Sequence, residues 1–310
     1  MNFNNRNIPI IKGHLKSPHL FIRERDVNEV EFFLNKIKNK EYYTYVKLNH
    51  GWWDRLSQYE MTKEKFGNNL RKMSKHMAKQ VIKDDRCPYL CSEQMIFRVL
   101  WTYKYAEKLG KSFYIGASPY GCVDTEVSRM KLGRGKPPRS ARLRIYKSQI
   151  DHFVSKDITL YSGYVWKNAA IMLRYLELID SIKDMQVVLV TKQFDKAKSD
   201  KDIGSLGDVL GIDDFKHIEV GEYSAGAETV STSNQILEIT KNSAKDKCII
   251  LRAGAAAVDI AGRIHGKVED AFILDLGKSL DCIPFLDKHD KNGPWIRRMN
   301  YMRPWYRENL

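Results

Sequence analysis

Two kinds of apolar spacing alternate along the chain, short unbroken runs and longer stretches with apolar residues three and four positions apart, and they predict strands interleaved with helices. The first helix is expected from Asp26 to Lys38, carrying Val27, Val30, Phe32, Phe33 and Ile37. Tyr42 to Leu48 follows as a strand that runs into the polar turn Asn49-His50-Gly51-Trp52-Trp53-Asp54. A basic amphipathic helix is expected over 59–83, with Phe66, Leu70, Met73, Met77 and Val81 on one face. Ser92 reads as the N-cap of a helix running to Leu109 and stopped by Gly110. Phe113 to Ala117 is a short strand leading to the turn Ser118-Pro119-Tyr120-Gly121, and Leu160 to Gly163 precedes a helix from Tyr164 to Ile182.

The second half is more regular. Gln186 to Thr191 is the clearest strand of the chain, followed by a short helix candidate from Leu206 to Leu210 and a strand from His217 to Val220. A helix through Ile236 and Ile239 leads to the apolar run Cys248-Ile249-Ile250-Leu251. Gly254 breaks that run, Ala255, Ala256 and Ala257 open a helix to Ile264, and Ala271 to Leu274 forms another strand with Asp275, Gly277 and Asp281 at its carboxyl end. Alternating strands and helices imply one α/β domain over 1–310, a mainly parallel Rossmann-like sheet flanked by helices. The chain shows no internal repeat and no low-complexity linker.

In such sheets ligands bind outside the carboxyl ends of the strands, which brings forward the turn at 49–54 and the unit from Lys245 to Asp281. Small residues at a helix start would let a ligand approach the free N–H groups there. The alternative is an ordinary buried strand–helix–strand unit with a glycine at its turn. There is neither GxGxxG nor GxxxxGK[ST], so standard dinucleotide and P-loop sites are not indicated, and no glycine-rich first loop supports a methyltransferase.

Composition changes the picture in one respect. Hydrophobic content of 43% and charged content of 29% are ordinary for a folded chain of 310 residues, but 52 Lys and Arg against 38 Asp and Glu leave a formal charge of +14. That excess favours a polyanionic partner, DNA or an anionic membrane surface. Residues 129–147 hold eight basic residues and no acidic one, and read either as a solvated loop or as a phosphate clamp through Arg134, Lys136, Arg139, Arg142 and Arg144. The stretch 287–310 interleaves Arg297, Arg298 and Trp305 with further aromatics, suited to stacking on exposed bases or to packing back on the domain. Five scattered cysteines argue for reduced thiols, and the CxxxC of Cys87 and Cys91 lacks a second pair to complete a zinc site. With no signal-peptide core and no run as long as a membrane span, the chain is expected in the cytoplasm, host cytoplasm if phage-encoded.

Over about 42–82 and 158–281 the order of parts resembles the sugar-nucleotide glycosyltransferases with the GT-D fold. The resemblance rests on a first strand ending in a short polar motif, a VVLV-type strand, the turn Ala253-Gly254-Ala255-Ala256-Ala257, and Leu274-Asp275-Leu276-Gly277. It implies transfer of a sugar from a nucleotide diphosphate sugar, UDP-sugar foremost, to a hydroxyl. Asn49, Gly51, Gly254, Ala255, Ala256 and Asp281 would then hold the donor, and Asp54, His50 and Asp275, in that order, would be candidates for the acceptor base. Family members carry Asp-Gly-Glu at the first strand where this chain has His50-Gly51-Trp52, with Asp54 two positions later. His50 and Asp54 would therefore replace the carboxylate pair on Mn²⁺ or Mg²⁺, or else Arg and Lys would neutralise the diphosphate without a metal. The acceptor that uses the positive charge best is hydroxymethylated cytosine in bacteriophage DNA. A bacterial surface glycan is the runner-up, and a non-catalytic nucleic-acid-binding protein is the rival of another class.

Overall fold

The computed structural model describes residues 24–48, 65–67, 69–82, 93–117, 158–171, 174–191, 212–221, 226–254 and 256–282. Seven strands are described: β1 (Thr44–Lys47), β2 (Phe113–Ala117), β3 (Leu160–Ser162), β4 (Gln186–Thr191), β5 (Phe215–Glu219), β6 (Lys247–Arg252) and β7 (Ala271–Asp275). They form one sheet in the order β3-β2-β1-β7-β6-β4-β5. Every pairing is parallel. The fold is therefore the Rossmann-like α/β class that the alternation predicts.

The helices are α1 (Glu24–Lys38), α2 (Leu70–Ile82), α3 (Glu93–Lys104), α4 (Val165–Ile171), α5 (Tyr175–Ile182), α6 (Thr229–Thr240) and α7 (Ala256–Ile264), with 3-10 turns at Ala106–Leu109 and Gly277–Cys282. Successive strand residues face opposite sides, so each strand feeds two cores. Val46, Ile115, Val188, Ile249 and Ile273 pack with α2, α3, α6 and α7. Tyr45, Val187, Leu189, Ile250, Phe272 and Leu274 pack with α1, α4 and α5. Burial on both faces is why the central strands read as unbroken apolar runs instead of alternating ones.

Three expected helices are interrupted. The one expected over 59–83 is broken at Gly67, whose φ of +58° is left-handed. Helix α2 restarts after Asn69, whose side-chain oxygen accepts from the Lys72 amide at 3.0 Å. The one expected to reach Leu109 ends at Lys104 and tightens into the 3-10 turn before Gly110. Arg174 divides the third: its amide reaches back to the Ala169 carbonyl at 2.8 Å, and its guanidinium turns to Glu177. The strand β3 was read only as a lead-in to that helix. Ser92 and the segments at 118–121, 129–147, 206–210 and 287–310 lie outside the described residues.

Tyr45 pins the β1 half of the sheet. Its buried hydroxyl crosses β2 to donate to the Ser162 carbonyl at 2.6 Å, while Glu29 of α1 accepts from the Ser162 amide at 2.6 Å. A Cβ at Gly116 would sit 2.9 Å from the Tyr45 Cζ, so the glycine inside β2 is what lets the ring pass. On the other side, Asp259 of α7 is fully buried, with Arg263 Nε at 2.9 Å and Arg98 Nε of α3 at 3.8 Å. Burial pushes its carboxyl up against the opposing pull of Thr229, Arg263 and Arg98.

Candidate functional site

The strand order places a topological switch point at β1. From it the chain runs outward to β2 and β3, crosses to β4 and β5, and returns through β6 to lay β7 against β1. Ligand sites of open parallel sheets lie in the crevice at the carboxyl side of such a point.

Here the two strands part. β1 pairs with β2 through Lys47↔Gly116, and β6 with β7 through Leu251↔Asp275, but β1 and β7 pair only at Thr44↔Ile273 and Tyr45↔Leu274. In the fork sits the Asp275 side chain. Its Oδ2 accepts from the Lys47 backbone amide at 3.3 Å, taking the place of a ladder carbonyl, while Oδ1 is buried without a hydrogen-bond partner. The residue is 1% exposed. Burial raises its carboxyl to about 6, against the opposing attraction of Lys47 and of the Lys47 amide.

Lys47 closes the arrangement. Its ammonium donates to the Leu276 carbonyl at 2.8 Å and lies 3.9 Å from Asp275 Oδ1. Gly277 has a φ of +47°, and a Cβ there would overlap the Lys47 Nζ and stand 2.7 Å from its Cε. Each residue of Asp275-Leu276-Gly277 thus acts on Lys47: a carboxylate for its amide, a carbonyl for its ammonium, and an absent side chain for its stem. Sequence reasoning misses Lys47, because a lysine ending a strand ordinarily reaches into solvent. The signal that could have found it is parity, since Lys47 follows Tyr43 and Tyr45 on a buried face.

Beside β7 the other expected segment lies at the same edge. After β6, Gly254 takes a φ of +56°, and among the described residues nothing lies within 4 Å of a Cβ built on it. Ala256 and Ala257 differ from expectation. Their side chains pack in the core at 2% and 0% exposure, and their amides bond to the Ala253 and Gly254 carbonyls at 3.1 and 3.4 Å. The small residues at the start of α7 serve close packing on the sheet, and Gly254 is the left-handed position of the turn.

The residues brought together are therefore Asp275, Gly254 and Ala256, with Lys47 added. Asp281 belongs to the 3-10 turn Gly277–Cys282, which continues from the same edge. Leu48 bonds to the Gly116 carbonyl at 2.7 Å and delivers the chain at this edge to position 49. Asn49, His50, Gly51, Asp54 and Ala255 lie outside the described residues, as do Arg134, Lys136, Arg139, Arg142, Arg144, Arg297, Arg298 and Trp305. Among the described residues no group of three or more His, Cys, Asp or Glu could hold a metal ion. The carboxylate at the fork faces an ammonium instead of further ligands, so the described residues do not fit a divalent cation. No described helix is long and apolar enough to cross a membrane.

In chemical terms the edge offers a buried carboxyl that burial raises to about 6, a held ammonium and a glycine turn. Compared with known proteins, the chain matches no family model, no curated protein and no solved structure.

Proposed function

We propose that the protein is a glycosyltransferase that moves a sugar from a nucleotide diphosphate sugar, UDP-sugar foremost, to a hydroxyl. The observation that carries the reading is the placement of Gly254 and Asp275 at the same carboxyl edge of a parallel sheet, beside the strand that leads into Asn49–Asp54. Diphosphate and sugar would lie along Gly254, Ala255 and Asp281, with Asn49 and Gly51 on the donor as well. Asp54 and His50 come first for taking the acceptor proton. Asp275 follows them, because in its described position it is shut from solvent and touches Lys47.

The preferred acceptor is hydroxymethylcytosine in phage DNA, on the strength of the formal charge of +14. The test is mass spectrometry of nucleosides from DNA with and without hydroxymethylcytosine, after incubation with the protein and a panel of nucleotide sugars, in Mn²⁺ or EDTA. The expected result is a sugar mass added only to the modified base, and the EDTA arm decides whether His50 and Asp54 need a metal. Donor hydrolysis without any DNA product would keep the glycosyltransferase and move the acceptor to a surface glycan. DNA binding with neither activity would replace the enzyme by a binding protein.

A further inference from the structure

Lys47 is unusual in where its charge is kept. It ends β1 at the switch point, its side chain is 15% exposed, and three consecutive residues that begin 228 positions away shape its surroundings. A lysine needed only for solubility would extend into water at no cost, whereas this one is drawn in over Gly277 towards the Leu276 carbonyl. Across the sheet it stands two strand widths, roughly 10 Å, from β6, the strand that leads into the Gly254 turn. A nucleoside diphosphate laid over the ends of β6, β7 and β1 spans that distance.

Resting on the glycosyltransferase reading, we infer that Lys47 is the cation that receives the donor diphosphate, and that Asp275-Leu276-Gly277 is the mount holding its ammonium at the switch point. In the reaction the acceptor oxygen forms the bond to the anomeric carbon, and its proton passes to the base. The bond from that carbon to the β-phosphate oxygen breaks, and its electron pair leaves with the nucleoside diphosphate. Lys47 meets the charge that gathers on that leaving oxygen, where a fixed ammonium away from bulk water is most effective. Asp275 is a positioning residue in this arrangement: it fixes the Lys47 backbone and opposes part of the ammonium charge.

The test is calorimetric titration of the full chain with UDP and with inorganic pyrophosphate, alongside the transfer and donor-hydrolysis assays. Lys47→Met is expected to weaken both ligands about 10- to 100-fold, the range of a lost charge-assisted contact. Because that change strands a buried carboxylate, Lys47→Met/Asp275→Asn is the companion variant, and it is expected to bind as weakly. Asp275→Asn alone is expected to bind several-fold more tightly at pH 7.5, an outcome that a purely structural role would not produce. UDP bound by the double variant as by the unaltered protein would overturn the role of Lys47 while leaving an active glycosyltransferase in place. Pyrophosphate binding that depends on Lys47, without sugar transfer or donor hydrolysis, would keep the anion site and remove the glycosyltransferase reading. No binding of either ligand by the unaltered protein would remove both.

Discussion

At the scale of single residues, Asp275 opposes folding at neutral pH. Its carboxyl is raised from 3.8 to about 6, so the folded chain holds that proton more tightly than the unfolded one. The contribution therefore favours folding most below about pH 4 and is lost as the pH rises through about 6. Two units correspond to about 3 kcal/mol against the ionised form. Asp275→Asn keeps an acceptor for the Lys47 amide and removes the charge. Urea unfolding is expected to show the variant gaining about 2 to 3 kcal/mol on the unaltered protein between pH 4 and pH 7.5; parallel pH profiles would refute this. Asp275 and Gly277 were legible because a carboxylate and a glycine at the end of an apolar run stand out. Their partner was not, since nothing local in the sequence distinguishes a drawn-in lysine from a solvated one.

Between elements, the pinning of β1, β2 and β3 rests on one ring passing one glycine. Gly116→Ala is expected to cost about 1 to 3 kcal/mol, because the new methyl meets the Tyr45 ring and stands 3.1 Å from the Gly163 Cα. Tyr45→Phe removes the hydroxyl that reaches Ser162, so in the double variant the two losses add to less than their sum. Urea midpoints of the four proteins measure that coupling, and strict additivity would refute it. At this scale long periodic stretches are legible in the sequence and their interruptions are not. Gly67, Arg174 and the three-residue β3 decide where elements stop: the first two through local backbone geometry that apolar spacing does not carry, the third through its pairing with β2. Gly116 was visible, but its reason lies in Tyr45, on another strand.

For the whole molecule, the α/β class followed from alternation, whereas the strand order did not, because local pattern carries no information on which strands become neighbours. Most of the positive charge falls on residues outside the described ones, notably 129–147 and 287–310. If the former grips phosphates, replacing Arg134, Lys136, Arg139, Arg142 and Arg144 by Gln should flatten the slope of log affinity for duplex DNA against log salt by about 4 to 5. Fluorescence anisotropy at several salt concentrations reads that slope, and an unchanged slope would make the segment a solvated loop.

The strand that fills the middle of the sheet is the last of the described strands along the chain, so the sheet is sealed by long-range pairing. Without residues 271–275, β3-β2-β1 and β6-β4-β5 would each present an open inner edge. Lys47 waits for Leu276, 229 positions later, before its ammonium has that carbonyl. Closing so long a loop is slow, and unpaired edges invite pairing with other chains in the meantime. The crevice therefore rests on pairing between parts of the chain far apart in sequence, and is complete only where β7 seals the sheet.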